Sequence, residues 1–280
     1  MTMSLRRVTI GPVSAPEADL TARAGLPIRL AGGRLHPGEG VVVEEDLVRR
    51  RWQMRDVLAA GVGRQGRRVE YHMLNGVRTV ADRQLERLHL RYELTAMLGL
   101  PLGWEAAKTL GHVHVAPPRT SIGYPEIVEV LHGEAGFLIQ DFAMTTGGPR
   151  SRRAWLVRAL PGDWVVLPPD LAHVTIDLGA GPLVFSDVID RRARGVYAGV
   201  AQARGFAWYV AADGEFRPNP RYTETPPIEE ITASDWSGQP RGLLYEAFRD
   251  DPASFAWLSD PARFASLAPV LAARIASSLD

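Results

Sequence analysis

Cysteine is absent from the 280 residues. Disulfides, thiolate zinc sites and cysteine nucleophiles are excluded together, so a metal would have to be held by His, Asp and Glu. Net charge is lacking as well: 32 basic residues balance 32 acidic ones, which leaves no global field to attract nucleic acid or an anionic membrane. Long apolar runs are missing, since none approaches the roughly 18 residues of a membrane span. The short run at residues 8–13, after Leu5-Arg6-Arg7, is broken by Gly and Pro and does not suit a signal peptide. No nucleic acid and no membrane are expected as partners, and a cytoplasmic location is the default expectation. Lysine is nearly absent, occurring only as Lys108 while arginine supplies the remaining basic residues. What is present, 46% hydrophobic and 23% charged residues, suffices for a soluble globular chain with a sizeable core.

Strand signals dominate. Short segments of alternating or β-branched character recur at residues 92–98, 126–131, 136–140, 154–157, 163–167, 173–178, 183–188 and 206–210, each bounded by Gly, Pro or Asp. Such spacing predicts an all-β barrel or sandwich. Residues 48–60 read as a short helix. Gly61-Val62-Gly63-Arg64-Gln65-Gly66 has the letters of a dinucleotide loop but precedes a strand-like segment, so a Gly-rich turn is expected. Residues 215–241, rich in Pro, Thr, Glu and Ser, read as a linker or wrapping segment. Asp251-Pro252 and Asp260-Pro261 then offer N-caps for a helical tail over 242–280.

Four of the seven histidines lie between positions 112 and 173. On a strand, His112 and His114 in Gly111-His112-Val113-His114 project from one face, where two imidazoles can grip one ion. Glu126 follows in Pro125-Glu126-Ile127, six residues before Gly133, and His173 ends a run that begins at Gly162-Asp163-Trp164 and passes Pro168-Pro169. Glu129 is the alternative carboxylate, but its odd spacing from Glu126 turns it to the opposite face. His36, His72 and His89 read as structural or surface residues and His132 as a turn residue. The runs Arg49-Arg50-Arg51 and Arg191-Arg192-Ala193-Arg194 read as solvated faces, with phosphate or acid binding as the alternative.

His-x-His, Glu, the Gly six residues on, and the later Gly–Pro–His run together resemble the two motifs of the cupin superfamily. The resemblance implies an all-β cupin barrel of jelly-roll type over residues 1–214, including an N-terminal extension. It further implies that His112, His114, Glu126 and His173 converge on one divalent transition metal, with three imidazoles and a carboxylate suiting Fe, Mn, Ni or Zn. Asp170 stands in place of a usual turn Gly, Asp177 where Asn is common, and the gap between His114 and Glu126 is longer than in most cupins.

Over about residues 48–222 the chain resembles the cupin-type glucose-6-phosphate isomerases. Arg91-Tyr92-Glu93-Leu94-Thr95, Lys108-Thr109-Leu110-Gly111 before the histidines, Tyr124-Pro125-Glu126-Ile127, Leu138-Ile139-Gln140 and Pro161-Gly162-Asp163-Trp164 carry it. It implies exchange of glucose 6-phosphate and fructose 6-phosphate in glycolysis or gluconeogenesis, and a homodimer. By the same resemblance, Lys108, Thr109 and Gly111 hold the phosphate, while Glu126 and Tyr197 are catalytic. The departures bear on the sugar: Val128 replaces the family Tyr two residues after Glu126, and Arg194-Gly195-Val196-Tyr197 lacks a usual His and Asp. They support two alternatives: a specialised metalloenzyme with a non-sugar substrate, as in the cupins that form N–N bonds with zinc, or a non-catalytic metal- or sugar-binding cupin.

Overall fold

Strands of β-branched and aromatic residues carry most of the ordered backbone, and Gly, Pro and Asp end them. The computed structural model describes residues 17–238, 242–267, 271, 272 and 275. The run at 8–13 and the end of the expected helical tail lie outside the described residues. In chain order the principal strands are β1 (Glu45–Arg50), β2 (Val69–Asn75), β3 (Leu90–Met97) and β4 (Val113–His114). Next come β5 (Glu126–His132), β6 (Ala135–Gln140), β7 (Ala154–Ala159) and β8 (Trp164–Leu167). The last are β9 (Ala172–Asp177), β10 (Leu183–Asp190), β11 (Gly195–Val196) and β12 (Ile228–Thr232).

Two sheets form from them. One has six strands in the order β8-β5-β10-β3-β2-β1, the other four in the order β9-β6-β7-β12. From β5 to β10 the chain crosses between the sheets at every connection except the β6–β7 hairpin, so it wraps as the double sheet of a jelly roll. Every pairing is antiparallel except the last, where β12 runs parallel to β7. Alternate residues of the six-stranded sheet face the four-stranded one; on the other face the N-terminal hairpin covers part of β2 and β3 and the C-terminal segment covers part of β3, β5 and β10. There Tyr92 meets Tyr245 edge to face at 5.0 Å, and the Leu244 N–H donates to Glu129 Oε2 at 2.8 Å. β10 is buried on both faces and has no exposed residue, although Ser186, Asp187 and Asp190 interrupt its apolar run.

Residues 48–60 differ from expectation. Their first part completes β1, whose pairing with β2 outweighs local helical preference, and a 3-10 helix follows at Arg51–Val57. The Gly-rich hexapeptide makes a 3-10 turn at Gly63–Gln65 and leads into β2 without a helix. Within 215–238 lie a strand at Phe216–Pro218, β12 and the helix α1 (Ala233–Ser237). Beyond it stand the helix α2 (Leu244–Asp250) and a 3-10 helix at Pro252–Ser259.

His72 is fully buried and ties the N-terminal hairpin to β2. Its Nδ1 accepts the Leu35 N–H at 2.9 Å, which leaves the ring proton on Nε2, where Asp46 Oδ1 accepts it at 2.9 Å. Burial lowers the His72 pKa. The unfolded chain therefore binds this proton more readily than the folded one, and the contribution of His72 to stability is complete above about pH 6.5 and lost on acidification. The substitution His72→Asn keeps an acceptor for Leu35 but cannot titrate. We expect it to reduce the slope of the urea midpoint between about pH 5 and 7, a result to be read against wild type in parallel unfolding curves.

Candidate metal centre

The register of one short ladder builds the site. Residues 107–112 run beside β9, with Lys108 opposite Ile176 and His112 opposite His173. Four residues on one strand thus span three on the other. The extra residue is accommodated at Gly111, whose φ of +74° is left-handed. A Cβ there would lie 2.5 Å from Phe206 Cε2, so space as well as backbone conformation requires glycine. The bulge lets Thr109 and His112 both line the interior, although they are an odd number of residues apart. His112 and His173 then exchange backbone hydrogen bonds of 3.1 and 3.0 Å, which places their rings side by side.

Beyond the bulge, β4 pairs with β11, setting His114 opposite Gly195. The imidazole nitrogens of His112, His114 and His173 lie within 4.8 Å of one another, and His112 Nε2 is 2.9 Å from His114 Nε2. Two backbone carbonyls fix the tautomers. Tyr124 O accepts from His114 Nδ1 at 2.9 Å and Leu171 O from His173 Nδ1 at 3.3 Å, so both Nε2 atoms are unprotonated and offer lone pairs. His173 Nε2 is buried and has no hydrogen-bond partner. A buried lone pair facing two further imidazoles is what a metal ligand requires, and the residues fit a divalent transition metal. Glu126 Oε2 stands 3.4 Å from His114 Nε2 and 3.8 Å from His173 Nε2. Glu129 points to the opposite face, toward Leu244.

Burial sets the electrostatics. It holds His112 and His173 well below the ordinary imidazole value and His114 at about 4, keeping all three neutral and ready to ligate. Burial, followed by the Glu93 charge, pushes Glu126 up to about 8. Above these residues a cavity of about 270 Å³ opens between the sheets. Glu93 on β3 and Asp187 on β10 are register partners inside it, and Val128 pairs with Asp187 from the other side. Burial raises both carboxyls, and Arg91 offsets part of the effect at Glu93. Glu93 lies in the family-like run at residues 91–95, but its juxtaposition with Asp187 leaves no local motif because the two stand on separate strands.

Tyr197 covers one wall, its ring 5.3 Å from that of His112. Gly195 permits this, since a Cβ there would lie 2.6 Å from Tyr197 Cζ and 2.9 Å from His112 Cδ2. Thr109 and Gly111 also line the cavity, whereas Lys108 does not. Lys108 is in register with the outward-facing Ile176, donates to Val57 O at 2.9 Å and pairs closely with Glu105. Lys108, expected with Thr109 and Gly111 at a phosphate, thus stands outside the cavity that those two line. Of the arginine triplet, expected as a solvated face, Arg51 is buried against Glu70 at 2.7 Å and Arg49 lines the cavity.

A family model for glucose-6-phosphate isomerase (GPI) matches residues 55–227. The glucose-6-phosphate isomerase of Thermococcus kodakarensis is 30% identical over 138 residues, 48% of this chain and 66% of that protein. For the same enzyme of Pyrococcus furiosus the identity is 29% over 136 residues, covering 48% and 65%. The chain thus spans just under two thirds of these relatives. Among solved structures, a cupin 2 conserved barrel domain protein from Rhodopseudomonas palustris is 14% identical with a TM-score of 0.30, covering 48% of this chain and 72% of that one. A single-substitution variant of oxalate decarboxylase from Bacillus subtilis is 19% identical with a TM-score of 0.29, covering 43% and 25%. Neither overlap is extensive enough to carry an inference.

Elemental analysis of the wild-type protein is expected to show a single equivalent of a divalent transition metal. His114→Ala should lower metal affinity by more than the roughly 10–100-fold typical of a change behind the ligands, while Glu129→Gln leaves it unchanged. The bulge yields a second expectation. Gly111→Ala forces a left-handed residue against Phe206, costing about 1–3 kcal/mol of stability and weakening metal binding through the displaced His112, both measurable by thermal unfolding with and without metal.

Proposed function

Because the chain belongs to the glucose-6-phosphate isomerase family, whose model covers well over half of it, we propose that it is a metal-dependent aldose–ketose isomerase. Its substrates are glucose 6-phosphate and fructose 6-phosphate, or a related sugar phosphate. The convergence of His112, His114 and His173 beside Glu126 at the floor of an inter-sheet cavity is the observation that carries this reading. Fe, Mn, Ni or Zn suits the donor set. Among the described residues no helix is long and apolar enough to cross a membrane. A cytoplasmic location and a homodimer are part of the same reading.

Isomerisation moves hydrogen between C1 and C2 of the open-chain sugar while negative charge develops on the neighbouring oxygens. The three imidazoles, with Glu126, would hold the metal, which when bound supplies a Lewis acid for that charge. Glu126 is the carboxylate positioned to take a proton at C2 and return it at C1. Tyr197 lines the cavity wall, where its hydroxyl is a candidate donor to the sugar. Thr109 and the Gly111 backbone line the same space and offer donors to the sugar phosphate.

A second reading keeps the metal and changes the substrate. Val128 sits beside the buried pair Asp187 and Glu93, where the family has a tyrosine, so the cavity wall there is acidic and partly apolar. That composition favours a specialised, non-sugar substrate.

A coupled assay on metal-loaded protein separates the two. Under the isomerase reading fructose 6-phosphate turns over, His114→Ala is inactive, and Val128→Tyr raises kcat/KM. Lys108→Ala should lower the melting temperature and leave KM within about twofold, because Lys108 is committed to Glu105 and Val57. Stoichiometric metal with no turnover of the sugar phosphate by any metal form would exclude the first reading.

A further inference from the structure

The cavity contains a cation that no motif announced. Strand β1 turns Arg49 inward, opposite Tyr71 in register, and its guanidinium lies over the Tyr71 ring at 6.0 Å from the centroid. The neighbouring arginines are spent: Arg50 donates to Arg67 O at 2.8 Å and Arg51 pairs with Glu70 at 2.7 Å. Arg91, the other arginine in the cavity, is held by Glu93 and by Glu45 at 3.7 Å. Arg49 differs from all of these. Among the described residues no carboxylate stands within ion-pairing distance of it, and its buried Nε has no hydrogen-bond partner. Its charge is felt by His112, Tyr71 and Tyr197, the groups that surround this end of the cavity.

Position adds a second argument. Tyr71 and Asn75 lie four residues apart on β2, so Arg49 and the polar row of Asn75, Glu93 and Asp187 are separated by about 13 Å along the strands. The unpaired Arg49 and the acidic row, with its paired Arg91, therefore occupy opposite ends of one cavity. A guanidinium with donors left over, partly withdrawn from water and facing a space large enough for a small metabolite, matches the fork geometry of an oxyanion. Arg49 also precedes residue 55, where the family match begins.

We propose that Arg49 is the anion-recognition residue of this cavity, binding a phosphate or carboxylate group of the ligand whose reacting end lies over the histidine cluster. The proposal rests on the sugar-phosphate reading only for the choice of phosphate; the geometry alone requires an oxyanion. Tyr71 holds the guanidinium in place through its hydroxyl and its ring, and the substrate's anionic end points toward β1.

Calorimetric titration of the metal-loaded protein with inorganic phosphate, and separately with acetate, tests this without relying on turnover. Wild type should bind at least one of the two. Arg49→Met should weaken that binding about tenfold or more, and Arg49→Lys should restore part of it. Circular dichroism and metal stoichiometry should match wild type for both variants, and Arg49→Lys stands in if Arg49→Met fails to fold. Preference for phosphate over acetate identifies a phosphorylated ligand, and the reverse preference a carboxylate. Phosphate and acetate binding equal in wild type and Arg49→Met would overturn the proposal, as would the absence of binding to wild type. Should fructose 6-phosphate not turn over while phosphate binding remains dependent on Arg49, the isomerase reading fails and this one stands.

Discussion

Two backbone hydrogen bonds between His112 and His173 are the constraint on which the site depends. They join residues far apart in sequence, and they do so in a register that is off by one from the ladder at Lys108 and Ile176. Without the left-handed Gly111 the alternation of a regular strand would turn His112 away whenever Thr109 faced inward. A single residue lacking a Cβ thus converts an ordinary edge segment into a ligand-bearing one. His114 then follows by simple period-two spacing, held through β11.

Around that ladder, burial does the electrostatic tuning. The three imidazoles are kept neutral by the same desolvation that raises Glu126, Glu93 and Asp187. A divalent ion bound there would compensate this arrangement, since it would restore favourable charge interactions for carboxylates that burial disfavours. Arg91 performs a weaker version of the task for Glu93 on the protein's own account. Polar groups of this kind are tolerated inside a double sheet because the outer face of the six-stranded sheet buries Tyr92, Leu94 and Ala96.

Much of the strand plan is legible from local pattern, as is the histidine cluster, since His-x-His and strand alternation operate over a few residues. The choice of Glu126 over Glu129 is likewise readable from phase, and the structure sends Glu129 to the opposite face. Other features depend on pairing between distant strands and leave no trace in any short window. Lys108 looks functional by its proximity to the histidines, yet its facing is decided by Ile176 across the ladder. Arg49 looks like one member of a solvated triplet; pairing of β1 with β2 turns it inward and continues a strand where a helix is expected. Glu93 and Asp187 become neighbours only when β3 and β10 pair.

The parallel strand β12 has a consequence for self-association. By occupying the free side of β7 it removes the row of amides and carbonyls that a second copy would otherwise extend, and its own five residues include Glu229 and Glu230. A short border strand bearing charged side chains is a poor template for a second copy. Edge-to-edge fibrillar growth from this sheet is therefore disfavoured by construction, and a symmetrical pairing of two molecules would have to use faces of the molecule and not this margin.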